Sequence, residues 1–271
     1  MIKDENENLL GDMKSILNRW KNYFNNVLNI NDREQDSFNE NTIHTAEPFI
    51  VEPDELDIKF IIEELKSHKA PGIDGIPAEL IKSGGPSLCA AVHKLILAIW
   101  RQEKLPREWK ESIIIPIHKK GEKTNCSNFR GISLLPTCYK ILSKILLKRL
   151  NIYAKEIIGD YQCGFRPFRS TMDPVFCIRQ ILEKKWEFGN DVYQLFIDFK
   201  KAYDSIKREK LYNIMLEFGI PKKLVRLVRV CMSDTFSRVR IGKDLSDEFC
   251  IRNGLKQGDS LSPVLFNITL E

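Results

Sequence analysis

The sequence predicts a mixed fold, α/β or α+β, from three observations. Apolar residues recur at helical spacing, as in Ile141, Leu142, Ile145, Leu146 and Leu150. Short β-prone runs stand between such stretches, at Ile113–Ile117 and Tyr193–Ile197. A chain of 271 residues with 43% hydrophobic and 29% charged side chains has enough apolar mass for a buried core, which excludes a disordered or fibrous protein.

The elements follow in order. Leu17, Trp20, Tyr23, Phe24 and Leu28 predict one amphipathic helix, and Asn29–Glu47, rich in Asn, Asp and Glu, reads as a linker. Glu55–Lys66 predicts a helix through Leu56, Phe60, Ile61 and Leu65. Pro71–Gly75 is a turn cluster, and Pro77 suits the first turn of the next helix. Pro86–Gln102 is a further helix. In the β-prone run 113–117, Pro116 argues for an edge position because proline cannot donate to a ladder. Helices follow at Tyr139–Leu150 and Asp173–Phe188, then a strand at Val192–Asp198. Two helices near 207–218 and 221–233, two strands near 236–241 and 247–252, a turn at Gly254–Asp259 and a last helix from Leu261 complete the chain.

The net charge of +5 hides an asymmetry. Residues 1–65 hold 6 Lys and Arg against 15 Asp and Glu, whereas residues 66–271 hold 36 against 22. A basic body of this kind suits a polyanionic partner such as nucleic acid or nucleotide phosphates, and equally a solvated basic surface. The longest apolar run, Leu88–Trp100, is broken by His93 and Lys94 and is too short to span a bilayer. The N-terminus shows no apolar signal segment. Seven widely spaced cysteines without a Cys-x-x-Cys pair predict reduced thiols and no zinc site. The expectation is an intracellular protein, nuclear or cytoplasmic, with no membrane partner.

The most informative stretch is Phe196-Ile197-Asp198-Phe199-Lys200-Lys201-Ala202-Tyr203-Asp204. A strand that ends in Asp sets a carboxylate at a sheet rim, where a hard oxygen donor suits Mg²⁺. Alone, such an Asp more often caps a turn or helix. Other motifs accompany it: Lys69-Ala70-Pro71-Gly72-Ile73-Asp74-Gly75, then Ile117–Lys123 with Asn128–Leu135, then Tyr161–Arg166 with Ser170-Thr171, and last Gly254–Pro263. Their order and spacing resemble the reverse transcriptases of non-LTR (LINE-type) retrotransposons. The resemblance covers about residues 55–271, and the Trp20/Tyr23/Phe24 helix resembles the segment that often precedes it.

The resemblance implies an α+β right-hand polymerase. Residues 1–53 would be a leading helix and acidic linker, 54–190 mostly fingers, and 191–271 the first part of the palm. Asp198 matches the family's first catalytic aspartate, a ligand of Mg²⁺ together with the Phe199 carbonyl. Lys119 (or Lys120) and Arg130 match positions that grip the incoming dNTP. Tyr203 matches the aromatic gate under the sugar, and Gln257 and Gly258 match the loop beside the nascent base pair. Gly164, Phe165, Arg166 and Ser262 fall in segments that contact nucleic acid, so an RNA template and a DNA primer are the implied partners. Residue by residue, the bland alternatives are a basic surface hairpin at 119–130, a core tyrosine at 203 and a plain hairpin turn at 257–258. Phe168 departs from the pattern, which has a small residue there, often glycine.

One motif is absent. The family carries an aromatic-x-Asp-Asp hairpin, and no Asp-Asp dipeptide occurs in this sequence. The expectation is a fragment or decayed copy, without a thumb, unable to polymerise as supplied. A non-catalytic nucleic-acid-binding remnant, a group II intron or retron type of reverse transcriptase, and an interaction protein on a repurposed fold are the alternatives.

Overall fold

The structure, a computed structural model, describes residues 1–29 and 49–271. The expected linker therefore lies, apart from Asn29, outside the described residues. Two short strands, β1 (Ile2–Lys3) and β2 (Leu9–Leu10), form a ribbon ahead of α1 (Met13–Leu28), which Asp12 caps by accepting from the Ser15 N–H. The helices α2 (Glu55–Glu63), α3 (Ala78–Ser83), α4 (Gly85–Gln102) and α5 (Arg107–Lys110) precede β3 (Glu111–His118) and β4 (Phe129–Leu134). Then come α6 (Thr137–Ile157), α7 (Met172–Glu187), α8 (Arg208–Glu217) and α9 (Lys222–Met232). The strands β5 (Thr235–Ile241), β6 (Asp244–Leu245) and β7 (Phe249–Ile251) lead into α10 (Ser262–Leu270). The fold is mixed α+β.

One five-stranded sheet organises these elements in the order β4-β3-β5-β6, with β7 also on β5. β3 pairs antiparallel with β4 and parallel with β5, so it is internal and not an edge strand. Pro116 is tolerated because the β5 pairing ends at Ile114, two residues earlier. On one face α1 buries Trp20, Phe24 and Leu28 against Ile114, Val239, Phe249 and Ile251. Each such burial contributes about 1.5–3 kcal/mol. Gly131 makes the fit possible: a Cβ there would stand 2.7 Å from the Phe24 ring. A larger helical core joins α2, α3, α4, α6, α8, α9 and α10.

Two sequence expectations are corrected. In α2 the buried stripe is Ile58, Ile61, Ile62 and Leu65, while Leu56 and Phe60 face solvent. The helix turns that way because Asp57 pairs with Arg149 at 2.6 Å and Glu64 pairs with Lys144 at 3.3 Å, both on α6. Val192–Asp198 does not form a strand. β-propensity is realised only beside a partner backbone, and this segment joins no ladder among the described residues. The helix expected at Asp173–Phe188 forms as α7 but buries none of its residues.

Candidate functional site

The site is assembled around the loop Gly254–Asp259. The Gly254 N–H donates to the Ile206 carbonyl and the Leu255 N–H to the Tyr203 carbonyl, both at 2.8 Å. At its far side the Gln257 carbonyl accepts from the Ser133 N–H of β4 at 2.7 Å. Gly258 has φ +121, and a Cβ there would stand 2.8 Å from the Ser133 oxygen, so only glycine fits. The loop thus ties the turn after Phe199 to the β3–β4 hairpin.

Its flanking side chains reach into the core. Tyr139 donates its hydroxyl to Asp259 Oδ2 at 2.5 Å, and the Leu261 N–H donates to Oδ1 at 3.1 Å. Lys256 Nζ donates to the Cys231 carbonyl at 3.3 Å and lies 4.8 Å over the Tyr139 ring. Burial pushes the Lys256 ammonium down to about 8, against the pull of Asp259. Arg208 is buried without a carboxylate partner among the described residues. It donates to the carbonyls of Gly254, Met232 and Ile251 and to the Thr235 hydroxyl, and so fixes the start of α8 under the loop. Ser262 is also buried, its hydroxyl donating to the Lys256 carbonyl at 2.7 Å.

Gln257 stays at the surface of this assembly. Its Nε2 donates to Asp204 Oδ1 at 3.2 Å. Burial raises the Asp204 carboxyl above its ordinary value, opposed by that hydrogen bond and by Lys201. The Tyr203 ring packs against Phe266 (centroids 5.1 Å apart) and Phe165 (5.9 Å), and its buried hydroxyl has no hydrogen-bond partner among the described residues. Phe199 meets Phe266 from another side at 6.4 Å. Phe266 thus contacts Tyr203 and Phe199 of one motif, and Tyr203 in turn meets Phe165 of another.

The segment Gly164–Arg166 is held by the same helix. Asn267 on α10 donates to the Gly164 carbonyl and accepts from Gln162, each at 3.0 Å. Arg166 donates to the carbonyls of Gly159 at 2.5 Å and Gln162 at 3.2 Å, which engages its guanidinium in holding the loop. Phe165 has φ +56 and Phe168 φ +61, and both rings are exposed.

Lys119 and Lys120 follow β3, and Arg130 pairs with Ile117 across the hairpin. All three are exposed, and none has an ion-pair partner among the described residues. Arg130 lies three residues from Ser133 on one strand, about 10 Å. Asp198 is exposed in the irregular segment before Phe199. No group of three His, Cys, Asp or Glu side chains among the described residues could hold a metal ion. These residues by themselves do not fit a two-cation site, because one aspartate supplies too few oxygen ligands to hold two cations in register.

Sequence reasoning missed Asp204, Phe266 and Asn267 as contributors. Asp204 stands inside a quoted motif, six residues past Asp198, and that spacing was the available signal. Phe266 and Asn267 carry no signal apart from their place in an apolar helix. Among the described residues no helix is long and apolar enough to cross a membrane.

A protein-family profile described as reverse transcriptase (RNA-dependent DNA polymerase) matches residues 117–271. The transposon TX1 uncharacterized 149 kDa protein of Xenopus laevis is 24% identical over 97% of this chain and 21% of its own length. The probable RNA-directed DNA polymerase from transposon BS of Drosophila melanogaster is 26% identical over 78% of this chain and 24% of its own. The Pol polyprotein from type-1 retrotransposable element R2 of Popillia japonica is 27% identical over 74% of this chain and 28% of its own. The chain spans about a fifth to just over a quarter of the length of these curated relatives.

Proposed function

Since the chain belongs to the reverse transcriptase (RNA-dependent DNA polymerase) family, of the non-LTR retrotransposon type, we propose that it forms the nucleotide-facing part of an RNA-directed DNA polymerase. Residues 54–190 serve as fingers and residues 191–271 as the start of a palm. The observation that carries this reading is the pair of backbone hydrogen bonds Leu255–Tyr203 and Ser133–Gln257. One loop thereby joins the aromatic platform to the basic hairpin.

On that frame each residue has a task. Arg130 offers a two-pronged guanidinium to phosphate oxygens, and Lys119 or Lys120 adds a point charge. Tyr203, wedged by Phe165 and Phe266, forms a rigid floor that favours a sugar without a 2′-hydroxyl. Gln257 and Gly258 border the base pair, with the Gln257 amide oriented by Asp204. Gly164 and Phe165 border the template strand. Asp198 and the Phe199 carbonyl are the residues of this chain that would contribute to Mg²⁺ binding. The described carboxylates do not complete that site, so no chemical step is derived from it.

The test is titration of a fluorescent deoxynucleotide onto the chain bound to an RNA–DNA primer–template. Arg130→Ala should weaken nucleotide binding by about 10–100-fold, as expected for a lost charge-assisted contact, with unfolding unchanged because Arg130 is exposed. Equal affinity for both proteins would sink the assignment. Primer extension by the 271-residue chain should be undetectable. Robust extension that Asp198→Ala abolishes would show the carboxylate set to be sufficient after all.

A further inference from the structure

The N-terminal helix α1 does more than cover the sheet. Its last turn is bonded to the loop assembly, where the Asn253 N–H donates to the Leu28 carbonyl at 3.0 Å. A Cβ on Gly254 would stand 3.0 Å from the Asp204 carbonyl oxygen and 3.2 Å from Leu28 Cδ2, so α1, the loop and Asp204 meet at that glycine. Further up the helix, Tyr23 lies under the Lys201 ammonium, 4.8 Å from the ring centre. The turn that carries Lys201 to the helix takes it through the left-handed region, at φ +54. Tyr23, Lys201 and Asp204 line one cleft with Arg19 and Lys200. Arg19 is engaged by Glu5 at 2.9 Å and by the Lys3 carbonyl at 3.2 Å. The cation that acts on the Asp204 carboxylate is Lys201, which opposes the effect of burial.

We propose that α1 positions the Gln257 amide through Tyr23, Lys201 and Asp204, so that Gln257 offers a bound nucleotide its carbonyl oxygen and not its NH2 group. An ionised carboxylate can only accept hydrogen bonds. Facing Asp204, Gln257 therefore turns its Nε2 inward, in the 3.2 Å hydrogen bond, and its Oε1 away. An amide beside a neutral neighbour is free to present either end. The Lys201 charge favours the ionised, acceptor-only form of Asp204. The Tyr23 ring in turn holds that long, flexible side chain in place. Tyr23, Lys201 and Asp204 are positioning residues, and none of them needs to touch the nucleotide. The inference rests on the placement of Gln257 beside the nucleotide proposed above, and adds the polarity of its contact and the helix that sets it. The matching group on the ligand is an N–H or O–H donor at the nascent base pair.

Nuclear magnetic resonance of the Gln257 side-chain amide in the isotope-labelled 271-residue chain tests this, with the signals identified by their loss in Gln257→Ala. In the native chain one Nε2 proton should lie downfield and exchange slowly. In Asp204→Ala both protons should move to solvent-exposed positions, and a fluorescent deoxynucleotide should bind the chain on its primer–template about three- to tenfold more weakly. Lys201→Met, at an exposed residue, and Tyr23→Leu should each move the amide signal partway and weaken nucleotide binding about two- to fivefold. Tyr23→Phe, which keeps the ring, should rescue both readouts. A merely structural role for Tyr23 would shift the urea midpoint and leave the amide signal in place. A native amide at solvent-exposed positions, or one indifferent to Asp204→Ala or Lys201→Met, would overturn the relay. Unchanged nucleotide affinity in Gln257→Ala, with the amide signals as expected, would instead remove Gln257 from the nucleotide site and overturn the proposal through the reading on which it rests.

Discussion

Tyr139 and Asp259, 120 residues apart in sequence, share a 2.5 Å hydrogen bond in the core beneath the Gln257–Gly258 loop. Without the phenol, the buried carboxylate keeps only the Leu261 N–H. Tyr139→Phe should therefore cost about 1–3 kcal/mol, the penalty for an under-satisfied buried polar group, measured by urea unfolding. A cost near zero would mean that the loop is held elsewhere.

Gly258 tests the close approach of the loop to β4. Gly258→Ala puts a methyl group 2.8 Å from the Ser133 oxygen and forces a side chain to adopt φ +121. Destabilisation of about 1–3 kcal/mol is expected. Faster hydrogen exchange at the Ser133 amide should accompany it, because that amide donates to Gln257. A stable variant with an unchanged Ser133 amide would refute the contact.

Lys256 makes stability depend on pH with a definite sign. Its ammonium is pushed down to about 8 by burial, from an ordinary value of 10.5. Between those values the unfolded chain binds more protons than the folded one, so stability rises with pH, by up to about 1.4 kcal/mol per unit. Burial pushes the Cys231 thiol up to about 12 from 9.0, and that group lowers stability above pH 9 as the unfolded chain loses its proton. The clean window is thus pH 8 to 9. Denaturant midpoints should climb there in the native protein and stay level in Lys256→Met. Parallel profiles would contradict the assignment.

Phe168 occupies the left-handed region at φ +61 with its ring in solvent. That conformation costs a non-glycine residue roughly 1–2 kcal/mol, and glycine gives back roughly 0.5–1 kcal/mol in chain entropy. Phe168→Gly should stabilise the protein by up to about 1 kcal/mol and slow proteolysis between residues 160 and 170. Destabilisation would mean that the ring makes contacts in solution that offset the backbone cost.

Periodicity was informative wherever a segment had one apolar face. Ile141, Leu142, Ile145, Leu146 and Leu150 are all buried, as their spacing requires. It failed in α2, where two apolar stripes compete and ion pairs to α6 decide between them. It failed again at Val192–Asp198, since strand formation depends on a neighbour that the local sequence does not encode. In the candidate site, motif order drew attention to Tyr203, Gln257 and Gly258, which the fold brings together on one loop assembly. The pairing of Asp204 with Gln257 and of Tyr139 with Asp259 was not legible, because each joins residues tens of positions apart through a loop whose path only the fold defines.

The family match starts at residue 117, yet the sheet that carries the matched strands is covered by Trp20, Phe24 and Leu28. The Lys3 N–H also donates to the Thr124 carbonyl in the hairpin turn, at 2.8 Å. The span that the family profile matches is therefore not the span that folds. Excision at residue 117 would strip one face of the sheet to water and yield an insoluble polypeptide. Any autonomous unit must carry residues 2–28. Substitutions in that leading stretch, though far from the recognised motifs, are then answerable to Gly131 and its neighbours, and the two regions must change in concert.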